Sequence, residues 1–131
     1  MSHYHAVVWL DHKEAHVMHI APDDIEKSII HPSGAHQKHL HGKGGVVGSG
    51  RAVEDKAYYH AIATALHGAT EILVMGPAQA KLALIKHIHA HDKDLVEKII
   101  GVETVDHPTD GQVVAYARKY FAAKDQMLSQ T

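Results

Sequence analysis

Fifteen histidines stand in this chain of 131 residues, more than its thirteen lysines and arginines together. Neutral imidazole binds zinc, nickel or copper well, so the spacing of these side chains decides whether a metal could be held. His87 and His91 are four apart in a stretch of helical pattern, which puts them on one face. His36, His39 and His41 cluster in a glycine-rich stretch, and His3 and His5 alternate on a strand and share a side. No His-Glu-x-x-His string is present. Histidines this numerous produce such pairs by chance, and surface histidine is the expected role of each pair. No cofactor is therefore expected. The alternative is a divalent transition metal on His87, His91, His36, His39 and His41.

A second chemistry lies in residues 34–51. From Ser28 to Val53 there is no Asp or Glu, while Lys38, Lys43, Arg51, His31, His36, His39 and His41 are present. Gly34, Gly42, Gly44, Gly45, Gly48 and Gly50 let a backbone approach a phosphate closely and turn its N–H groups to an anion. A structureless stretch this long inside a compact domain is uncommon and is either functional or solvated. The RNA-binding set read from it is Lys38, His39, His41, Gly42, Lys43, Gly44, Gly45 and Arg51.

Other chemistries are excluded by spacing. No Gly-x-x-x-x-Gly-Lys-Ser/Thr string exists, and Gly42-Lys43-Gly44 is followed by Gly45-Val46-Val47, so the dinucleotide fingerprint lacks its third glycine. Ser49 lies between Gly48 and Gly50, but Val47 and Arg51 break the Gly-x-Ser-x-Gly elbow. Asp11, Glu71 and Asp106 fall at strand ends and could be assembled into an acidic metal site, but turn and cap roles are the expectation. Tyr58 and Tyr59 could stack RNA bases, although such a pair usually splits between core and surface. With no cysteine, zinc thiolates, disulfides and thiol nucleophiles are excluded.

The elements that must position these residues follow from hydrophobic pattern. Tyr4–Leu10 reads as a central strand covered on both faces, and Ala15–Ile20 as its hairpin partner. Ile25–His31 is a third strand, stopped by Pro32-Ser33-Gly34. Helical pattern runs from about Ala52 to His67 on Ala57, Ile62, Ala65 and Leu66, with Gly68 as the stop. Glu71–Met75 is a buried strand. Pro77 suits the first position of a helix that continues to Ala90 on Leu82, Ile85 and Ile88, with another helical turn in 92–97. Ile99–Val105 is the last strand. Thr109 or Asp110 caps a final helix through Val113, Ala117, Tyr120 and Phe121. The order β-β-β-α-β-α-β-α implies an α/β fold: a five-stranded mixed sheet with three helices on its faces. Residues 1–125 form one domain and 126–131 a frayed tail.

Formal charge is −2 and would reach +13 with every histidine protonated, so the field of this protein depends strongly on pH. A net charge of −2 argues against strong non-specific nucleic-acid binding at neutral pH. No stretch approaches the roughly 20 apolar residues that span a bilayer. No signal segment is visible, so a soluble, cytoplasmic protein with no membrane partner is expected.

Two strings carry a family resemblance. His41-Gly42-Lys43-Gly44-Gly45, after the third strand and before a long helix, resembles the basic-Gly-Gly-Gln loop in the central, ribonuclease-H-like domain of the archaeal and eukaryotic peptide-chain release factors and Pelota. Glu71-Ile72-Leu73-Val74-Met75-Gly76-Pro77, with Lys81 soon after, looks like the strand-Gly-Pro-helix segment of that domain. The chain also resembles the small bacterial translational machinery proteins. The element order matches over roughly 4–123. The resemblance implies a ribosome, rRNA or tRNA partner. In the family a glutamine follows the two glycines and positions water for peptidyl-tRNA hydrolysis. Here Val46 holds that place, with neither donor nor acceptor. The expectation is a translation-associated RNA- or ribosome-binding domain that is not a hydrolase. The alternatives are a histidine-rich metal-binding protein and a homodimeric interaction module using a sheet edge and the last helix.

Overall fold

The structure is a computed structural model that describes residues 5–32 and 56–129, with side chains through Lys124. Five strands form one sheet: β1 (His5–Leu10), β2 (Ala15–Ala21), β3 (Asp24–Ile30), β4 (Glu71–Gly76) and β5 (Ile99–Thr104). Their spatial order is β3-β2-β1-β4-β5. The first three make an antiparallel meander, with Val8 opposite Val17 and Val17 opposite Ser28. β4 joins β1 in parallel, Val8 opposite Val74, and β5 extends the parallel half. The expected mixed sheet is therefore found.

The helices are α1 (described over residues 56–66), α2 (Ala80–His91), the single turn α3 (Lys93–Val96) and α4 (Asp110–Ser129). They cover both faces of the sheet. Alternation along β1 explains how: Ala6, Val8 and Leu10 point to one core with Val17, Ile72 and Val74, roofed by Tyr58, Ile62 and Leu66 of α1 and Leu84 and Ile88 of α2. Val7 and Trp9 point to the other core with Met18, Leu73 and Met75, roofed by Val113, Ala117 and Phe121 of α4. Thus β1 is buried on both sides, as its unbroken apolar run implied. β3 is a sheet edge and exposes Ile25 and Ile29.

Local signals set several boundaries. Gly68, just past α1, takes a φ of 99°, a left-handed conformation that suits glycine as a helix stop. Thr109 is the cap of α4. Its Oγ1 accepts from the Gln112 N–H at 3.1 Å, while Gln112 Oε1 accepts from the Thr109 N–H at 2.9 Å. This reciprocal pair is a capping box and satisfies two otherwise orphaned donors.

Two expectations are corrected. Pro77 does not open α2. Pro77–Gln79 is a bend, and the helix starts at Ala80, where the Gln79 carbonyl accepts from Leu82 and Ala83. The buried stripe of α2 is Ala80, Lys81, Leu84 and Ile88, and Leu82 is 51% exposed. Ile88 is buried and Ile85 packs partly against the same core as expected, so Leu82 alone departs from the expected stripe.

Candidate functional site

Residues 34–51 were expected to carry RNA contacts, and Lys38, His39, His41, Gly42, Lys43, Gly44, Gly45 and Arg51 lie outside the described residues, as does His36. The elements on either side are described. The chain leaves the edge strand β3 at Ile30, which packs partly against the α1–α2 core. It re-enters in α1, where Tyr58 and Tyr59 are 1% and 6% exposed. The Tyr58 hydroxyl donates to the Asp11 carbonyl at 2.8 Å, tying α1 to the end of β1. Both rings are therefore core, and neither can stack on a base. The usual split between core and surface also fails, because two adjacent helical positions here both fall within the wide apolar face.

The acidic residues do not assemble a nuclease-like centre. Asp11 serves the β1–β2 turn, its Oδ1 accepting from the N–H groups of Lys13 and Glu14 at 2.8 and 3.0 Å. Burial pushes the Asp11 carboxyl up, but those two donors and His107 outweigh it, and its pKa lies below the ordinary value. Glu71 is at the opposite end of the sheet, 3.1 Å from His5, which itself stacks on Phe121. The Asp106 side chain is 94% exposed.

Where β1, β4 and β5 end, the surface opens into a cleft of about 540 Å³ lined by Met75, Val105, His107, Pro108, Val113 and Tyr116 among others. Trp9 braces two of its lining residues: its indole N–H donates to the Asp106 carbonyl at 2.9 Å, and its ring lies 4.9 Å from that of His107. Beside it, His16 bridges two carboxylates, Asp110 at 2.8 Å and Glu14 at 3.0 Å, and Lys27 also pairs with Asp110. Asp110 sits in the first turn of α4, where a negative charge suits the helix dipole. Burial raises its pKa, but the Lys27 hydrogen bond and the His16 contact outweigh this and hold it below the ordinary value of 3.8. A depressed carboxyl contributes stability above its unfolded pKa and loses it as pH falls through the folded value. The urea midpoint should thus fall as pH drops below about 4, and Asp110→Asn should flatten that fall while lowering the midpoint at neutral pH. Parallel curves for the two proteins would refute this assignment.

A histidine cluster lies between α1 and α2. His87 and His91, paired by sequence spacing, have ring centroids 4.6 Å apart. Two residues that spacing did not indicate join them: His60, whose ring is 6.0 Å from that of His87, and Asp92. Asp92 directly follows His91 in the chain, whereas His60 is brought to them only by the packing of α1 beside α2. Burial first, then the neighbouring His91, pulls the His87 pKa below 6.5 against the opposing pull of Asp92. Of the metal residues read from sequence, His36, His39 and His41 fall outside the described residues.

No family model and no curated protein matches this sequence. Solved structures do match. The Pelota protein of Thermoplasma acidophilum aligns with 86% of this chain at 20% identity and a TM-score of 0.55. Dom34 of S. cerevisiae, described as a translation termination-like factor that interacts with Hbs1, aligns with 93% at 18% identity and a TM-score of 0.56. The archaeal termination factor aRF1 aligns with 97% at 10% identity and a TM-score of 0.55. This chain spans 31%, 35% and 41% of those three proteins, respectively. Among the described residues no helix is long and apolar enough to cross a membrane. With its sheet order, its parallel β1–β4–β5 half and helices on both faces, the chain has the fold of a Pelota- and release-factor-like domain.

Proposed function

We propose that this protein is a translation-associated domain that grips RNA on the ribosome through residues 34–51 and does not hydrolyse peptidyl-tRNA. The observation that carries the reading is the likeness to Pelota, Dom34 and aRF1 over 86–97% of the chain. It coincides with a carboxylate-free, glycine-rich, cationic segment between β3 and α1. Lys38, Lys43 and Arg51 supply phosphate contacts, and the glycines allow close backbone approach. Val46 after Gly44-Gly45 has no group with which to orient a water, which argues against ester hydrolysis.

The test is RNA binding at fixed salt, at about pH 5.5 and about pH 8, by the wild type and by a double variant with Lys43 and Arg51 changed to Ala. Wild-type affinity should rise at the lower pH, as His36, His39 and His41 gain charge. The double variant should bind more weakly at both and lose about two from the slope of log K against log salt. Equal affinity in all four cases discards the proposal, and so does peptide release from charged tRNA at a useful turnover.

A further inference from the structure

Two buried polar atoms face each other without a hydrogen bond. His87 Nε2 and Asp92 Oδ2 each expose less than 1 Å² and have no hydrogen-bond partner. Their side chains are 10% and 14% exposed, and the atoms stand 3.9 Å apart. A direct hydrogen bond would need about 3 Å. Burial at the observed gap therefore removes both atoms from water without restoring what water gave them. Two ligand atoms on one tetrahedral zinc, each about 2.1 Å from the ion, are about 3.4 Å apart. The observed gap is closer to that edge than to a hydrogen bond. His60, His87 and Asp92 each offer one ligand atom, and these three atoms lie within 4.8 Å of one another.

The position of Asp92 gives a second, independent reason. It follows the last residue of α2, and its N–H donates to the Ile88 carbonyl at 2.8 Å. Its carboxylate therefore stands between the C-terminus of α2, where the dipole favours a nearby cation, and the start of the single-turn α3. Asp92 also precedes α3, yet its side chain makes no capping bond there. Neither ordinary use of an aspartate at a helix boundary accounts for it.

We infer that His60, His87 and Asp92 form a binding site for a divalent transition ion of the zinc type, with the fourth position open to water. Two imidazoles and one carboxylate suit zinc, nickel or copper, whereas calcium and magnesium prefer oxygen donors throughout. His67 Nε2, 3.7 Å from the other Asp92 oxygen, is placed to orient that carboxylate from outside the ligand set. His60 is exposed, so an ion can reach the site from solvent.

The experiment uses full-length, untagged protein stripped with a chelator, then titrated with Zn²⁺ against a chromophoric competitor at about pH 7.5. One equivalent should bind. His60→Ala and His87→Ala should each weaken it at least about tenfold, with far-UV circular dichroism unchanged. A variant with His36, His39 and His41 all changed to Ala should keep it. His87→Ala removes a largely buried ring and could disturb folding; His60→Ala removes an exposed one, so the test stands on it alone if necessary. Zinc binding by His60→Ala equal to wild type overturns the inference. So does an equivalent that disappears with the triple variant, or the absence of any stoichiometric binding.

Discussion

Gly76→Ala should cost this domain about 3 kcal/mol of stability or more. A Cβ at position 76 would lie 2.3 Å from the Leu10 carbonyl oxygen. That oxygen is backbone, at the end of the central strand, and it has no rotamer through which to withdraw. Nor can β4 move away freely, because the Gly76 carbonyl accepts from the Val105 N–H at 3.0 Å on its other side and ties β4 to the chain following β5. The substitution therefore either opens the parallel β1–β4 pair or breaks the tie to β5. Against a typical total of roughly 5–15 kcal/mol, that loss brings the domain near unfolding. Urea denaturation should show a much lower midpoint with an unchanged slope, and the thermal midpoint should drop by about 10 °C. A variant within about 0.5 kcal/mol of wild type would mean that the strands do not approach this closely. Gly76 belongs to the Glu71–Pro77 string, so part of that resemblance has a packing cause: a strand end that tolerates no side chain.

Much of the fold could be read directly from the order of residues. The run Ala6–Leu10 has apolar side chains at both parities, which is what a strand covered on both faces requires, and β1 is buried on both. Period and punctuation located every strand within a residue or two. Thr109 and Gln112 are three apart, a spacing that announces the capping box. Proline suits a first helical position in isolation, but here the bend at Pro77–Gln79 delays the start of α2 to Ala80. Lys81, and not Leu82, lies on the buried face of α2. It is 6% exposed, and its ammonium donates to the Ala78 carbonyl at 2.6 Å. No hydropathy pattern assigns a lysine to the core; the stem is buried for its methylenes. The site shows the same division. His87 and His91 are a helical pair visible in one dimension. Asp92 follows them directly at the end of α2, but His60 becomes their neighbour only through tertiary packing of α1 against α2. Tyr58 and Tyr59 went to the core together because α1 lies flat on the sheet and buries a broad face.

Association with ribosomes should be lost steeply as salt rises. If Lys38, Lys43 and Arg51 each neutralise one phosphate, binding releases about three counterions, and log K falls with log salt at a slope of roughly −2 to −2.7. Between about 50 mM and about 200 mM salt that is a 20- to 40-fold loss of affinity. The direction is opposite to that of a docking surface built on apolar contact, such as the exposed Ile25 and Ile29 of β3 or Tyr116 of α4, which salt would leave nearly untouched or strengthen. The net charge of −2 makes the contrast sharper, since the whole molecule is not attracted to RNA and only a local cationic segment can supply the dependence. Co-sedimentation of the purified protein with ribosomes at those two salt concentrations is therefore the decisive measurement. The account predicts clear pelleting at the lower concentration and almost none at the higher. Pelleting that is the same at both, or absent at both, contradicts it.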